Sequence, residues 1–129
     1  MITLKMVQRP NPLDANAAKK FYVTPKNGGE VTLEKLSEVI SDRCTLTDVD
    51  VLAALTALTK EMTTQLMDGK IVRFGSFGSF QLGLNSQGVD TADEISRSQV
   101  KKVHVKFRPG KPIQERLATV KYTLSQEPA

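Results

Sequence analysis

Eight basic side chains, Arg97, Lys101, Lys102, Lys106, Arg108, Lys111, Arg116 and Lys121, fall within twenty-five residues whose one acid is Glu115. Cations at this density suit a polyanion, because each ammonium or guanidinium that meets a phosphate displaces a condensed counterion. Their spacing is as informative as their number. In "VKKVHVKF" the alternation places Val103, Val105 and Phe107 on one side of a strand. Lys102, His104, Lys106 and Arg108 then share the other side at intervals of about 6 to 7 Å. Lys111 sits in "RPGKP", which leads into a helix start where free amides and the helix dipole already favour an anion. Upstream, Lys70 and Arg73 flank the start of "IVRFGSFGSFQL", in which three phenylalanines alternate with glycines and serines.

Other chemistries lack the residues they need. There is no P-loop, no Ser/His/Asp or Cys/His pair in a supporting context, and no carboxylate pair placed for acid and base work. His104 is the only histidine and has no cluster of possible metal ligands around it, so it reads as a strand surface residue. No enzymatic activity, cofactor, metal or small-molecule substrate is expected. Cys44 is the only cysteine, which leaves no disulfide or cysteine zinc site within one chain and predicts a reducing, cytoplasmic setting. Its position near a helix end predicts packing. No stretch approaches the roughly 18 apolar residues of a membrane span.

The elements that position these cations follow from periodicity. "ITLKMVQ" and "KKFYVTPK" read as two short strands around "RPNPLDANAA". Thr32 can cap a helix whose apolar side is Leu33, Leu36, Val39 and Ile40, and Thr47 a longer one carrying Val51, Leu55, Leu58, Met62 and Leu66 until Gly69 ends it. Strands "KIVRF" and "SFQLGL" then surround "GSFG". After a polar excursion comes the basic strand, then a helix with Pro112 in its first turn, and "VKYTLS" is a last strand-like piece. The chain is an α+β protein, with its charge sorted along its length. Residues 30–69 carry three bases and eight acids, and residues 70–121 ten bases and four acids. Leu52 and Leu58 leave the side of the long helix defined by Val51, Leu55 and Met62. So wide an apolar arc predicts a partner subunit.

The ordered set "VTLEKLSEVI", "VDVLAALTALTKEMTTQLMDGK", "VRFGSFGSFQL" and "VKFRPGKPIQERL" resembles the bacterial HU/IHF family of histone-like DNA-binding proteins, over roughly residues 31–119. The resemblance implies an intertwined homodimer with a helical base, a β-saddle and β-arms. It also implies an N-terminal extension over residues 1–30, like that of a divergent HU-related subgroup, an HU-like domain over 31–121 and a tail over 122–129. On that reading Leu55, Leu58, Met62, Phe77 and Phe80 form the dimer core, with Gly75 and Gly78 serving the turn or a close backbone approach. Lys70, Arg73, Arg97, Lys101, Lys102, Lys106, Arg108 and Lys111 face double-stranded DNA in the bacterial nucleoid. Such proteins bind the minor groove with little regard to sequence and condense DNA.

One segment departs from the family pattern. "LNSQGVDTADEISRSQ" lacks the basic run and the proline-bearing arm tip, and carries Asp90, Asp93 and Glu94 instead. Val89 and Ile95 lie among these acids and make poor wedges, so limited rather than sharp bending is expected. The acidic helices and arm also motivate an alternative: an HU-like structural module that serves a protein partner and has weak or lost DNA binding.

Overall fold

A computed structural model of the chain describes residues 1–14 and 16–125. They form three α-helices and two three-stranded sheets, divided between two compact units. One unit runs from Thr32 to Glu115, and the other joins the two ends of the chain, up to Val31 and from Arg116.

In the central unit, α1 (Leu33–Ser41) and α2 (Asp48–Met67) start where their caps predict. The Thr32 and Thr47 hydroxyls each accept from an amide three residues on, Lys35 and Asp50, at 3.2 Å. Gly69, at φ 79°, ends α2 in the left-handed region that a side chain would resist. Cys44 corrects an expectation: α1 stops at Ser41, and the cysteine lies exposed in the turn that follows.

Behind the helices, β3 (Val72–Phe74), β4 (Gly78–Ser86) and β5 (Val100–Pro109) form an antiparallel sheet in the order β3-β4-β5. Phe80 lies opposite both Val72 and Phe107, Leu82 opposite Val105, and Leu84 opposite Val103, so one face is apolar as far as Leu84 and Val103. Phe107 stacks on Phe80 at 4.8 Å and on Phe77 at 5.4 Å, and Phe77 meets Phe74 edge-on at 5.8 Å. That cluster is what the glycine-spaced phenylalanines build. Gly78 makes it possible: at φ 151° it packs under the Phe107 ring, where a Cβ would lie 2.6 Å from a ring carbon.

The segment where the resemblance implies a β-arm is not a continuous strand pair. The ladder shifts register at Asn85/Ser86 and ends there, and the chain turns through two 3-10 segments, Ala92–Glu94 and Arg97–Gln99. Gly88, Asp90 and Asp93 favour turns over pairing, which accounts for the loss of regular strand. The two sides are nevertheless tied. The Gln87 amide donates to the Gln99 carbonyl at 2.9 Å, and the Gln99 side chain donates back to the Gln87 carbonyl at 2.7 Å.

The terminal unit contains β1 (Ile2–Arg9), β2 (Lys20–Pro25) and β6 (Tyr122–Leu124) in the order β2-β1-β6. The hairpin is the one the sequence suggested. The surprise is β6: instead of forming a separate tail it pairs in parallel with β1, Ile2 beside Tyr122 and Leu4 beside Leu124. Residues 126–129 of the expected tail lie outside the described residues. A short helix α3 (Lys111–Leu117), with Pro112 in its first turn, precedes β6.

Hydrophobic burial within the single chain is slight. Among the described residues Val51 and Leu66 are the buried hydrophobic ones. Leu55, Leu58, Met62 and Phe80 are half-buried, and Phe77 is exposed. The chain presents 11060 Å² to solvent. A compact monomer of this mass exposes about 6,800 Å², and two separate bodies of these sizes about 8,000 Å².

Candidate nucleic-acid interface

The cationic face is the reverse of the phenylalanine face. Because β-pairing sets directly opposed residues on the same side, the register Arg73–Ser79–Arg108 forms one row across the three strands. Below it come Gln81 with Lys106, Gly83 with His104, and Asn85 with Lys102. Each paired base on β5 thus faces a small or neutral partner on β4, and none of the three strands contains Asp or Glu. The pattern avoids neutralising the face internally. Arg73, Lys102, Lys106 and Arg108 are exposed, and none makes an ion pair among the described residues.

Gly83 has a role in this surface that its neighbours explain. A Cβ there would stand 2.5 Å from the Lys106 side chain and 2.6 Å from His104 Nε2. The glycine therefore lets both side chains lie across the strand, and His104 becomes half-buried instead of standing free at the surface. At the wide end of the sheet, Arg73, Ser79, Gln81, Lys106 and Arg108, with Ile71, Phe107 and Pro109, bound a cleft of about 470 Å³. Two guanidinium groups, an ammonium, a hydroxyl and an amide around an acid-free hollow are suited to phosphate oxygens.

The eight cations singled out from sequence do not all gather here. Arg73, Lys102, Lys106 and Arg108 share the face. Lys101 falls at the register shift and is left unpaired in the ladder. Arg97 lies in a 3-10 turn of the arm. Lys70 lies just beyond α2 and pairs with Asp68 at 3.4 Å, and Lys111 opens α3 and reaches Glu115 at 3.9 Å. Both pairs are solvent-exposed and add little stability. Sequence reasoning passed over Ser79, Gln81 and Gly83. Counting by twos from Ser79 along β4 would have found Gln81 and Gly83 on the face opposite Phe80 and Leu82, across from Lys106 and His104.

Among the described residues there is no group of three His, Cys, Asp or Glu side chains able to hold a metal ion, and no helix long and apolar enough to cross a membrane.

Three α-helices and two small sheets among the described residues make an α+β arrangement consistent with an HU-like fold. The chain belongs to the family described as an HU domain fused to wHTH, Ig or glycine-rich motif, whose model matches residues 1–124. Among solved structures it is similar to a protein of Bacteroides vulgatus ATCC 8482 described as a candidate bacterial DNA-binding protein. The TM-score is 0.62 at 12% identity, over 95% of this chain and 48% of that one. The chain thus spans about half the length of that structure, and at this identity the likeness is one of fold. No curated protein matches.

Proposed function

We propose that this chain is an architectural, sequence-tolerant binder of duplex DNA that works as a homodimer. The observation that carries the reading is the acid-free face of β3-β4-β5, where Arg73, Lys102, Lys106 and Arg108 stand unpaired. Phosphates fit a row of cations at strand spacing, whereas base edges need side chains that enter a groove with defined donor and acceptor pairs. Phosphate contact is indifferent to sequence.

The dimer is supported by area and by chemistry. The surplus of about 3,000 Å² per chain over two compact bodies, about 6,000 Å² for a pair, is enough to supply an obligate subunit contact, which removes about 2,000 to 5,000 Å² or more in total. Leu36, Val39, Ile40, Phe74 and Phe77 are among the large apolar side chains left in solvent. Two copies joined through their helices and phenylalanine faces cover these groups and pool two cationic faces into one saddle. The arms contribute less. Asp90, Asp93 and Glu94 at the tip oppose phosphates, and no proline wedge is present there, so bending is limited.

The test is sedimentation of the free protein together with duplex affinity and bend angle across a salt series. A dimer whose affinity falls steeply as salt rises, with a shallow bend, is the expected result. Acids on the helices and arm favour the second reading, an HU-like module for a protein partner, and that reading prevails if a well-folded dimer ignores duplex DNA at low salt.

A further inference from the structure

The terminal sheet has two unlike faces, just as the central one does. Ile2, Leu4, Met6, Phe21, Val23, Tyr122 and Leu124 share its apolar side. On the other side the register sets Lys5 beside Thr24, Val7 beside Tyr22, and Arg9 beside Lys20. We propose that this second side, Lys5, Arg9 and Lys20 around Tyr22, is a further contact surface for the phosphates of duplex DNA, separate from the central sheet.

Three observations carry the assignment. First, β1, β2 and β6 contain no acid, and Lys5, Arg9 and Lys20 make no ion pair among the described residues. Second, Arg9 and Lys20 are directly opposed, a like-charge cross-strand pair that costs the hairpin stability unless an anion lies between them. Both are exposed, so an anion can reach them. Third, the cations do not converge as they would around a small anion. Lys5 and Arg9 are four residues apart on one strand, about 13 Å, and Lys20 lies one strand over. An extended polyanion meets such a spread, and a free phosphate does not. Tyr22 is half exposed, 50%, and with Arg9, Pro10, Pro12 and Thr24 it edges a hollow of about 550 Å³. Its hydroxyl adds a neutral donor among the cations.

This inference rests on duplex DNA being the partner, and the experiment separates the two readings. Chains of residues 1–129 carrying Lys5→Gln, Arg9→Gln and Lys20→Gln are compared with a central-sheet variant, Lys102→Gln with Lys106→Gln. A control removes the same charge from the helical part of the central unit, Lys35→Gln, Arg43→Gln and Lys60→Gln. Duplex affinity is read against salt, with thermal melting to establish folding. The terminal-sheet variant is expected to melt no lower than the parent, since a repulsive pair is gone. Its log affinity against log salt should flatten by about 0.9 for each phosphate no longer neutralised, with at least a tenfold drop at low salt. The control should keep the parent slope. A folded terminal-sheet variant with the parent slope, while the central variant flattens, overturns this inference alone. Flattening in the terminal variant but not in the central one upholds it and moves the main site. A parent chain that ignores duplex DNA overturns both.

Discussion

The central and terminal sheets obey one rule with different results. Each has three strands, no acid, one apolar face and one cationic face. The central sheet carries its bases on a ten-residue strand opposite neutral partners, and its apolar face holds its own stacked phenylalanines against α2. The terminal sheet opposes a base with a base, and its apolar face, with Phe21 63% exposed, has no aromatic stack of its own. Alternation alone therefore makes a sheet amphipathic. What lies across the ladder decides whether each face is finished or still needs a partner.

The sharpest way to break this comparison is to reverse the central charges. Lys102→Glu with Lys106→Glu should abolish duplex binding, a loss of a hundredfold or more by fluorescence anisotropy, because phosphates then meet two carboxylates on each chain where they met two ammonium groups. Melting should be unchanged, since both side chains are exposed. Retained binding would transfer the main site to the terminal sheet.

The apolar faces offer the next contrast. Phe80→Ala removes a ring stacked on Phe107 and should cost about 3 to 5 kcal/mol, read as a lower urea midpoint. Phe21→Ala, on the less covered face, should cost under about 1.5 kcal/mol. Equal losses at the two positions would mean that the terminal face is covered in solution as fully as the central one.

The smallest effect concerns the arm. Gln99→Ala deletes the side-chain tie to the Gln87 carbonyl. It should cost about 0.5 to 1.5 kcal/mol, felt locally as faster amide exchange between Gln87 and Gln99. Duplex affinity should change little, in keeping with a grip that comes from the sheet and not from the acidic tip.

Much of this arrangement could be read from residue order. The beats of Lys102, His104 and Lys106 against Val103, Val105 and Phe107 placed the cationic row, and Thr32, Thr47 and Gly69 marked helix ends through local hydrogen bonds and backbone strain. Local rules stop at the strand boundary. Nothing near Tyr122 announces that it will lie beside Ile2, because parallel pairing has no turn to encode it. The opposition of Arg9 and Lys20 was hidden for a similar reason: a ten-residue loop does not dictate register as a two-residue turn does. The β-arm came from the resemblance and not from alternation, and the polar segment holding Asp90 and Asp93 has side chains that compete for backbone amides, which favours the turns seen there.

The pairing of β6 with β1 also bears on how the chain is made. Ile2 must wait for Tyr122, about 120 residues later. At about 5 to 20 residues per second, a ribosome takes roughly 6 to 24 s to supply that partner. Through that interval one edge of β1 stays open. The hairpin can close early, but its third strand is set only once Tyr122 to Leu124 have been made, and until then the open edge is available to mispair with a neighbouring nascent chain.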